Sequence, residues 1–185
     1  KHEIFTTSGS VSKSESKFNF KQHNLVNDDY LNLLSWSKPE IIVHCAAITN
    51  LEYCEKNPLE AIRVNSLSVQ NFLALNPSCH FIFISSDAVY SQNINFANEL
   101  SSVNPENIYG VSKLFGEHIT FQKSNLFTII RTTIVGYKSS GSNSFADWLV
   151  KSLLSQKSIN LYTNQIFSPI SIWHLSKEID YIIDE

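Results

Sequence analysis

Tyr109-Gly110-Val111-Ser112-Lys113 sets a phenol and an ammonium four residues apart, a spacing that puts both on one face of a helix. A phenol with a reference pKa of about 10 is a poor acid or base at neutral pH, and a neighbouring ammonium stabilises its phenolate. Earlier in the chain stand two hydroxyls, Ser85 and Ser86, followed by Asp87-Ala88-Val89-Tyr90, and before them His44-Cys45-Ala46-Ala47. Hydroxyls in such a place could donate hydrogen bonds to a substrate oxygen, and small residues would let a flat ligand approach the backbone. Taken singly, each group also fits a tight turn with satisfied serines.

The groups after the strands gain meaning from what precedes them. His44 follows Ile41-Ile42-Val43, Ser85 follows Phe81-Ile82-Phe83-Ile84, and a third run, Phe127-Thr128-Ile129-Ile130, precedes Arg131. None alternates with polar residues, as suits strands buried on both faces. Between the first two runs, Asn57 reads as an N-cap and Pro58 as the first residue of a crossover helix. Further helices are expected from about Ile108 to Thr120, from about Ser144 to Ser155, and from Asp28 to Trp36 ahead of Pro39, with Glu3-Ile4-Phe5 as an early strand. From Leu161 onward the pattern weakens, and Phe167-Ser168-Pro169 reads as an irregular turn. Strand alternating with helix indicates an α/β fold, a doubly wound parallel sheet, in which ligands sit beyond the carboxyl ends of the strands.

Composition narrows the field. A chain of 185 residues, 43% hydrophobic and with a net charge of −3, makes one domain with ample core and carries no basic stripe for a phosphate backbone. No apolar run approaches the roughly 18 residues of a membrane span. Nucleic acid and membrane are therefore set aside as partners. Cys45, Cys54 and Cys79 are too few and too irregular for a disulfide framework, and read as small buried thiols in a reducing, cytoplasmic setting. His2, His23, His80, His118 and His174 lack metal-ligand spacing and read as surface or capping residues, with no metal site. Glu117 reads as a packing or salt-bridge residue, and Trp36, Trp148 and Trp173 as core or interface. Ser8 to Lys17 is the best candidate for a surface loop. No Ser-His-Asp or Cys-His arrangement supports hydrolase chemistry.

In combination these motifs are distinctive. Strand-HCAA, Val64-Asn65 in the crossover helix, FISSDAVY from Phe83 to Tyr90, Pro105 to Lys113 as P-x-x-x-YGVSK, and Gly116-Glu117 resemble the extended short-chain dehydrogenase/reductase family in order and spacing. Arg131-Thr132, Gly141 to Phe145 and Asn164-Gln165-Ile166-Phe167-Ser168-Pro169 resemble its dTDP-4-dehydrorhamnose reductase branch, which includes the regulatory β subunit of methionine adenosyltransferase. The resemblance implies a Rossmann-like fold and NAD(P)-dependent reduction of a 4-keto sugar nucleotide, within cell-surface polysaccharide precursor synthesis. It implies Ser86 as the hydroxyl holding the substrate carbonyl, Tyr109 as general acid, Lys113 as the group that lowers the tyrosine pKa and holds the nicotinamide ribose, and Asn65 as an ordering residue. His44, Ala46, Ala47, Thr49 and Ser85, with Thr7 and Ser8, would line the cofactor. Asp87, Asn164, Gln165 and Pro169 would contact the nucleotide-sugar substrate.

Departures from the family pattern are equally informative. The glycine-rich turn that holds a cofactor pyrophosphate at a helix N-terminus has no counterpart here, because Lys1 to Thr7 aligns with the family's second strand. With no methionine in the sequence, the chain is expected to be an internal part of a longer polypeptide, lacking the first strand and helix and part of the C-terminal substrate region. By that reading residues 1–135 are a partial NAD(P)-binding Rossmann domain and residues 136–185 begin the substrate-binding region, and exposed strand edges would favour a homodimer. At the end of the second strand stand Thr6, Thr7, Ser8 and Ser10, then Lys13. Without a repelling carboxylate a 2′-phosphate is tolerated, which leans the choice between NADP and NAD toward NADP. Ile170 and Ser171 stand where relatives carry Thr and Tyr, and Ile134 where the rhamnose branch often has Trp, leaving the sugar open. A sugar-nucleotide epimerase or dehydratase, and a non-catalytic dinucleotide-binding regulatory subunit, are the alternatives.

Overall fold

A computed structural model of the protein describes residues 2–9, 18–75, 78–91, 94, 96–136, 144–161, 163 and 167–185. The three apolar runs become β3 (Ile41–His44), β4 (His80–Ser86) and β5 (Phe127–Val135), hydrogen-bonded in that order and all parallel, with β6 (Pro169–Ser171) outside β5. The register sets Ile42 opposite Phe81, Ile84 opposite Ile130 and Ser86 opposite Thr132, so the strands' carboxyl ends lie together. A separate parallel pair joins β1 (Phe5–Ser8) to β2 (Asn19–Gln22). β1 and β3 do not pair, which is where the family resemblance implies a further strand.

Short helices lead to the site. In α1 (Tyr30–Ser37), Asp29 caps the Leu31 N–H, and the helix stops at Lys38, whose backbone is left-handed at φ 42°, just before Pro39. The crossover from β3 to β4 begins earlier than its sequence suggests. Asn50 caps α2 (Leu51–Lys56) through its side-chain oxygen; Asn57 and Pro58 then stand as expected at the N-cap and first position of α3 (Pro58–Ile62), without a side-chain cap bond, and the path continues through a π-helical turn (Arg63–Leu67) and α4 (Ser68–Leu75). A 3₁₀ turn (Asp87–Val89) follows β4, and α5 (Ile108–Lys123), α6 (Phe145–Leu154) and α7 (Ile172–Asp184) complete the chain.

Two terminal expectations are corrected. The first strand lies a little further along than Glu3-Ile4-Phe5. At the other end, Pro169 opens an edge strand rather than belonging to a turn, a position where its missing N–H is tolerated. Ser171 then caps α7 by accepting from the His174 N–H.

The core fixes one face of the sheet. Phe81 and Phe83, two apart and therefore on the same face, pack with Val69, Phe72 and Leu73 of α4, Tyr30, Leu33 and Leu34 of α1, and Ile119 of α5. Each such buried side chain contributes roughly 1.5–3 kcal/mol, which anchors α5 on β4. Among the described residues no helix is long and apolar enough to cross a membrane.

Candidate active site

Ser86 ends β4 in an extended conformation and its hydroxyl is held locally, donating to Asp87 Oδ1 at 3.0 Å and accepting from the Ala88 N–H at 3.2 Å. Tyr109 lies in the first turn of α5. That turn is secured by Asn107, which accepts from the Gly110 N–H at 2.7 Å, and by the Glu55 carboxylate, which accepts from the Ile108 N–H at 2.7 Å. An anion suits a helix N-terminus, where unpaired N–H groups gather. Gly110 permits the approach of helix to turn: a Cβ there would stand 2.2 Å from the Ala88 carbonyl oxygen and 2.9 Å from Pro105 Cβ. The Tyr109 phenol thereby comes within hydrogen-bonding reach of Ser86; burial raises its pKa and the Ser86 hydroxyl opposes the rise.

One helical turn on, Lys113 is only 1% exposed. Its Nζ stands 4.1 Å from the centroid of the Phe83 ring, a cation–π contact. Burial pushes its pKa down to about 8, with Cys45 and Glu117 acting in the opposite direction. Gly116 brings this stretch of helix onto the sheet, since a Cβ would lie 2.6 Å from Phe83 Cζ and 3.0 Å from the Asn65 carbonyl oxygen. Asn65 sits in the π-helical turn, a distortion frequent at functional sites. Its amide accepts from the Ile48 N–H at 2.7 Å and donates to the Ile48 carbonyl at 3.1 Å and to Ser112 Oγ at 2.9 Å. The loop after β3 is thus pinned to the helix that carries Tyr109 and Lys113.

The remaining sequence candidates divide by location. Ala46 and Thr49 are exposed and Ala47 half-buried beyond the end of β3, while Thr7 is exposed and Ser8 half-buried at the end of β1. His44 is a core residue: its ring lies against Phe72, Phe81 and Phe83, Ser68 is its hydrogen-bond partner, and burial lowers its pKa to about 3. Only its main chain could face a ligand. The Ser85 hydroxyl is likewise committed, donating to Glu117 at 2.5 Å. Asp87 is exposed beside Ser86, and Pro169 lies on the edge strand. Asn164, Gln165, Gly141 and residues 10–17 of the expected loop fall outside the described residues.

Other readings need correction. His23 is buried with its ring edge-on to Tyr30, not at the surface. Cys45 is exposed while Cys54 and Cys79 are buried, and Trp173, at 80% exposed, lies outside the core, which leaves the interface alternative for it. No group of three or more His, Cys, Asp or Glu that could hold a metal occurs among the described residues. Sequence reasoning did not single out Glu55, and it left the partner of Glu117 open. That partner is Arg131, which binds the carboxylate at 2.7 Å; a charged residue just past an apolar strand run was the available signal.

Comparison with known proteins fits this geometry. The chain is 29% identical over 171 residues to a probable low-salt glycan biosynthesis reductase, Agl14, of Haloferax volcanii, covering 87% of this chain and 57% of that protein. A hypothetical dTDP-4-dehydrorhamnose reductase from Sulfolobus tokodaii superposes with a TM-score of 0.85 at 25% identity, covering 100% of this chain and 64% of that one. The dTDP-4-dehydrorhamnose reductase of Bacillus anthracis, solved in complex with NADP, gives 0.81 at 24% identity over 91% of this chain and 62% of that one. The chain thus spans less than two thirds of these relatives. Residues 7–185 match the RmlD substrate binding domain, and the chain belongs to that family.

Proposed function

We propose that the protein is an NAD(P)-dependent reductase of a 4-keto sugar nucleotide, serving synthesis of cell-surface polysaccharide precursors. The observation that carries this reading is the approach of Tyr109 to Ser86 at the carboxyl end of β4, with Lys113 buried one helical turn behind it on α5. A nicotinamide dinucleotide, when bound, supplies the hydride. The residues present fit such a group, because Ala46 and Ala47 leave the end of β3 free of bulk and Lys113 has its ammonium buried beneath the site. Residues 1–135 would form the dinucleotide side and residues 136–185 the start of the substrate side, with Asp87, Asn164, Gln165 and Pro169 toward the sugar nucleotide.

Tyr109 Oη gives its proton to the substrate carbonyl oxygen as charge develops there. Ser86 Oγ donates a hydrogen bond to the same oxygen, and the Lys113 ammonium stabilises the phenolate left behind. These groups act most strongly on the transition state, which is how they lower the barrier. Thr7 and Ser8 offer hydroxyls and no carboxylate to a ribose 2′-phosphate, which favours NADPH over NADH. A turnover assay of the full-length protein with a panel of 4-keto sugar nucleotides and each nicotinamide tests the reading. NADPH-dependent reduction is expected; dinucleotide binding without turnover of any of them would instead indicate a regulatory subunit.

A further inference from the structure

From the buried pair Ser85 and Glu117 a chain of polar groups that the reaction above does not use runs out through half-buried Arg131 and Tyr90. Arg131 Nε donates to both oxygens of the Glu117 carboxylate at 3.0 and 3.2 Å, and its Nη2 donates to Oε2 at 2.7 Å. Glu117 is 4% exposed, and its Oε1 also accepts from the Ser85 hydroxyl. On the other side of the guanidinium, Nη1 donates to the Tyr90 hydroxyl at 3.0 Å, which donates in turn to the Asn98 carbonyl at 2.9 Å. Strand β5, helix α5, the end of β4 and the segment beyond it are tied at one point.

We propose that Glu117, held by Arg131, is the positioning residue that locks the Ser85-Ser86 strand end to the helix face carrying Tyr109 and Lys113. The inference rests on the reductase reading. Tyr109, Lys113 and Glu117 follow at intervals of four, so they project from one face of α5. Fixing the Ser85 side chain to that face fixes the backbone of the next residue, and with it the distance from Ser86 Oγ to the Tyr109 phenol. A misplacement of about 1 Å at such a contact is enough to lower a rate as much as a hundredfold.

The carboxylate has a second consequence. The titratable groups that interact with Lys113 are His44 and Cys45 at the end of β3 and Glu117 from its own helix. His44 is uncharged, and the Cys45 thiol is desolvated on its inner side although the residue is exposed, which raises its pKa and keeps it neutral, so Glu117 is the anion that favours the ammonium form of Lys113. Arg131 tempers that charge and orients it.

The test uses the full-length protein. Glu117→Gln alone leaves the half-buried Arg131 guanidinium without its anion, so the pair Glu117→Gln with Arg131→Met removes both charges while keeping bulk in place. The double variant should lower kcat about tenfold with KM little changed. The alkaline limb of its kcat profile should move down by less than about half a pH unit, because loss of the Arg131 cation offsets part of the loss of the Glu117 anion, and the titration of Lys113 followed by NMR after ¹³C-methylation should move with it. Glu117→Asp, which keeps the charge but shortens the reach to Ser85, should lower kcat while leaving the limb in place. A folded double variant with wild-type kcat and an unmoved Lys113 titration overturns the proposal. Should the wild type reduce no 4-keto sugar nucleotide, the reductase reading fails, and the NMR titration still decides whether Glu117 and Lys113 are linked.

Discussion

Helix α5 and the pair α6 and α7 differ in what they bury, although α5 too exposes large apolar side chains, Val111, Phe115 and Phe121. Along α5 the buried residues are Gly110, Ser112, Lys113, Gly116, Glu117, Ile119 and Thr120, mostly small or polar. Lys113 lies over an aromatic ring, and Glu117 and Thr120 make hydrogen bonds. Along α6 and α7 the buried residues are Asp147, Ser152 and Leu175, while Phe145, Leu153, Leu154, Ile172, Trp173 and Tyr181 are exposed. Polar groups that are buried and paired hold a fixed geometry, whereas apolar side chains left outside offer surface for contact. The contrast matches the proposed division of labour, with chemistry on a rigid sheet and helix, and recognition on the later elements.

The largest effect should come from the chemical group itself. If the region around α5 is organised for proton delivery, Tyr109→Phe should reduce kcat by about a hundred- to ten-thousand-fold with KM little changed. Steady-state kinetics on the full-length protein measures it. A variant as active as wild type would reduce the contrast between the two regions to one of packing alone.

Lys113 sharpens the comparison because a group placed for chemistry should weaken the fold. Its pKa is lowered by burial to about 8 from 10.5. The folded protein therefore holds fewer protons than the unfolded chain between these values, so this group adds stability as pH rises through that window. Its penalty is full below about pH 8. Lys113→Met should accordingly stabilise the protein at pH 7 by roughly 3 kcal/mol while abolishing most turnover, and the gain should shrink below about 1 kcal/mol near pH 10. Urea unfolding at the two pH values checks this, and a variant less stable than wild type at pH 7 would show that Lys113 is structural.

Much of this architecture was legible in the sequence, for reasons that differ by element. β3, β4 and β5 were legible as apolar runs, although only β4 has both faces covered and β3 and β5 are largely half-buried, and the Tyr109 and Lys113 spacing is a local property of one helix. The pairing of Ser85 with Glu117, and of Glu117 with Arg131, spans 32 and 14 residues. Such contacts depend on how α5 lies across β4 and β5, which no local pattern encodes. The two links from Asn65 to Ile48 and Ser112 were hidden in the same way. Helix α7 was missed for another reason. Leu175, Ile179 and Ile182 do recur at helical spacing, but Pro169 at the entry suggested a turn, and a short edge strand carries too little pattern to register.

Gly110 probes how closely the two parts of the site must meet. Alanine is the better helix former by about 1 kcal/mol, yet its Cβ would have to fit 2.2 Å from a backbone carbonyl. Overpacking of this kind typically costs 1–3 kcal/mol. Gly110→Ala should therefore lower the unfolding free energy by up to about 2 kcal/mol net and reduce kcat by more than that loss explains, since the helix must move away from Ala88. Thermal unfolding and kinetics on the same preparation separate the two effects, and an unchanged kcat would mean that the helix and the turn can part without harm.

The smallest effect belongs to the other region and tests whether it is independent. Ser144 and Asp147 form a capping box at the start of α6: Ser144 Oγ accepts from the Asp147 N–H at 3.1 Å, and Asp147 Oδ2 accepts from the Ser144 N–H at 3.3 Å and from its hydroxyl at 2.7 Å. Ser144→Ala removes the acceptor for one orphan N–H and the donor that steadies the buried carboxylate, a loss of about 1 kcal/mol. Because α6 buries little of its length, the change should appear as faster amide exchange across Phe145–Leu154 with exchange in α5 unaltered. Mass-spectrometric hydrogen exchange resolves the two helices. If α5 and α6 instead gained exchange together, they would open as one cooperative unit, and the separation of a rigid catalytic part from a more loosely held recognition part would have to be abandoned.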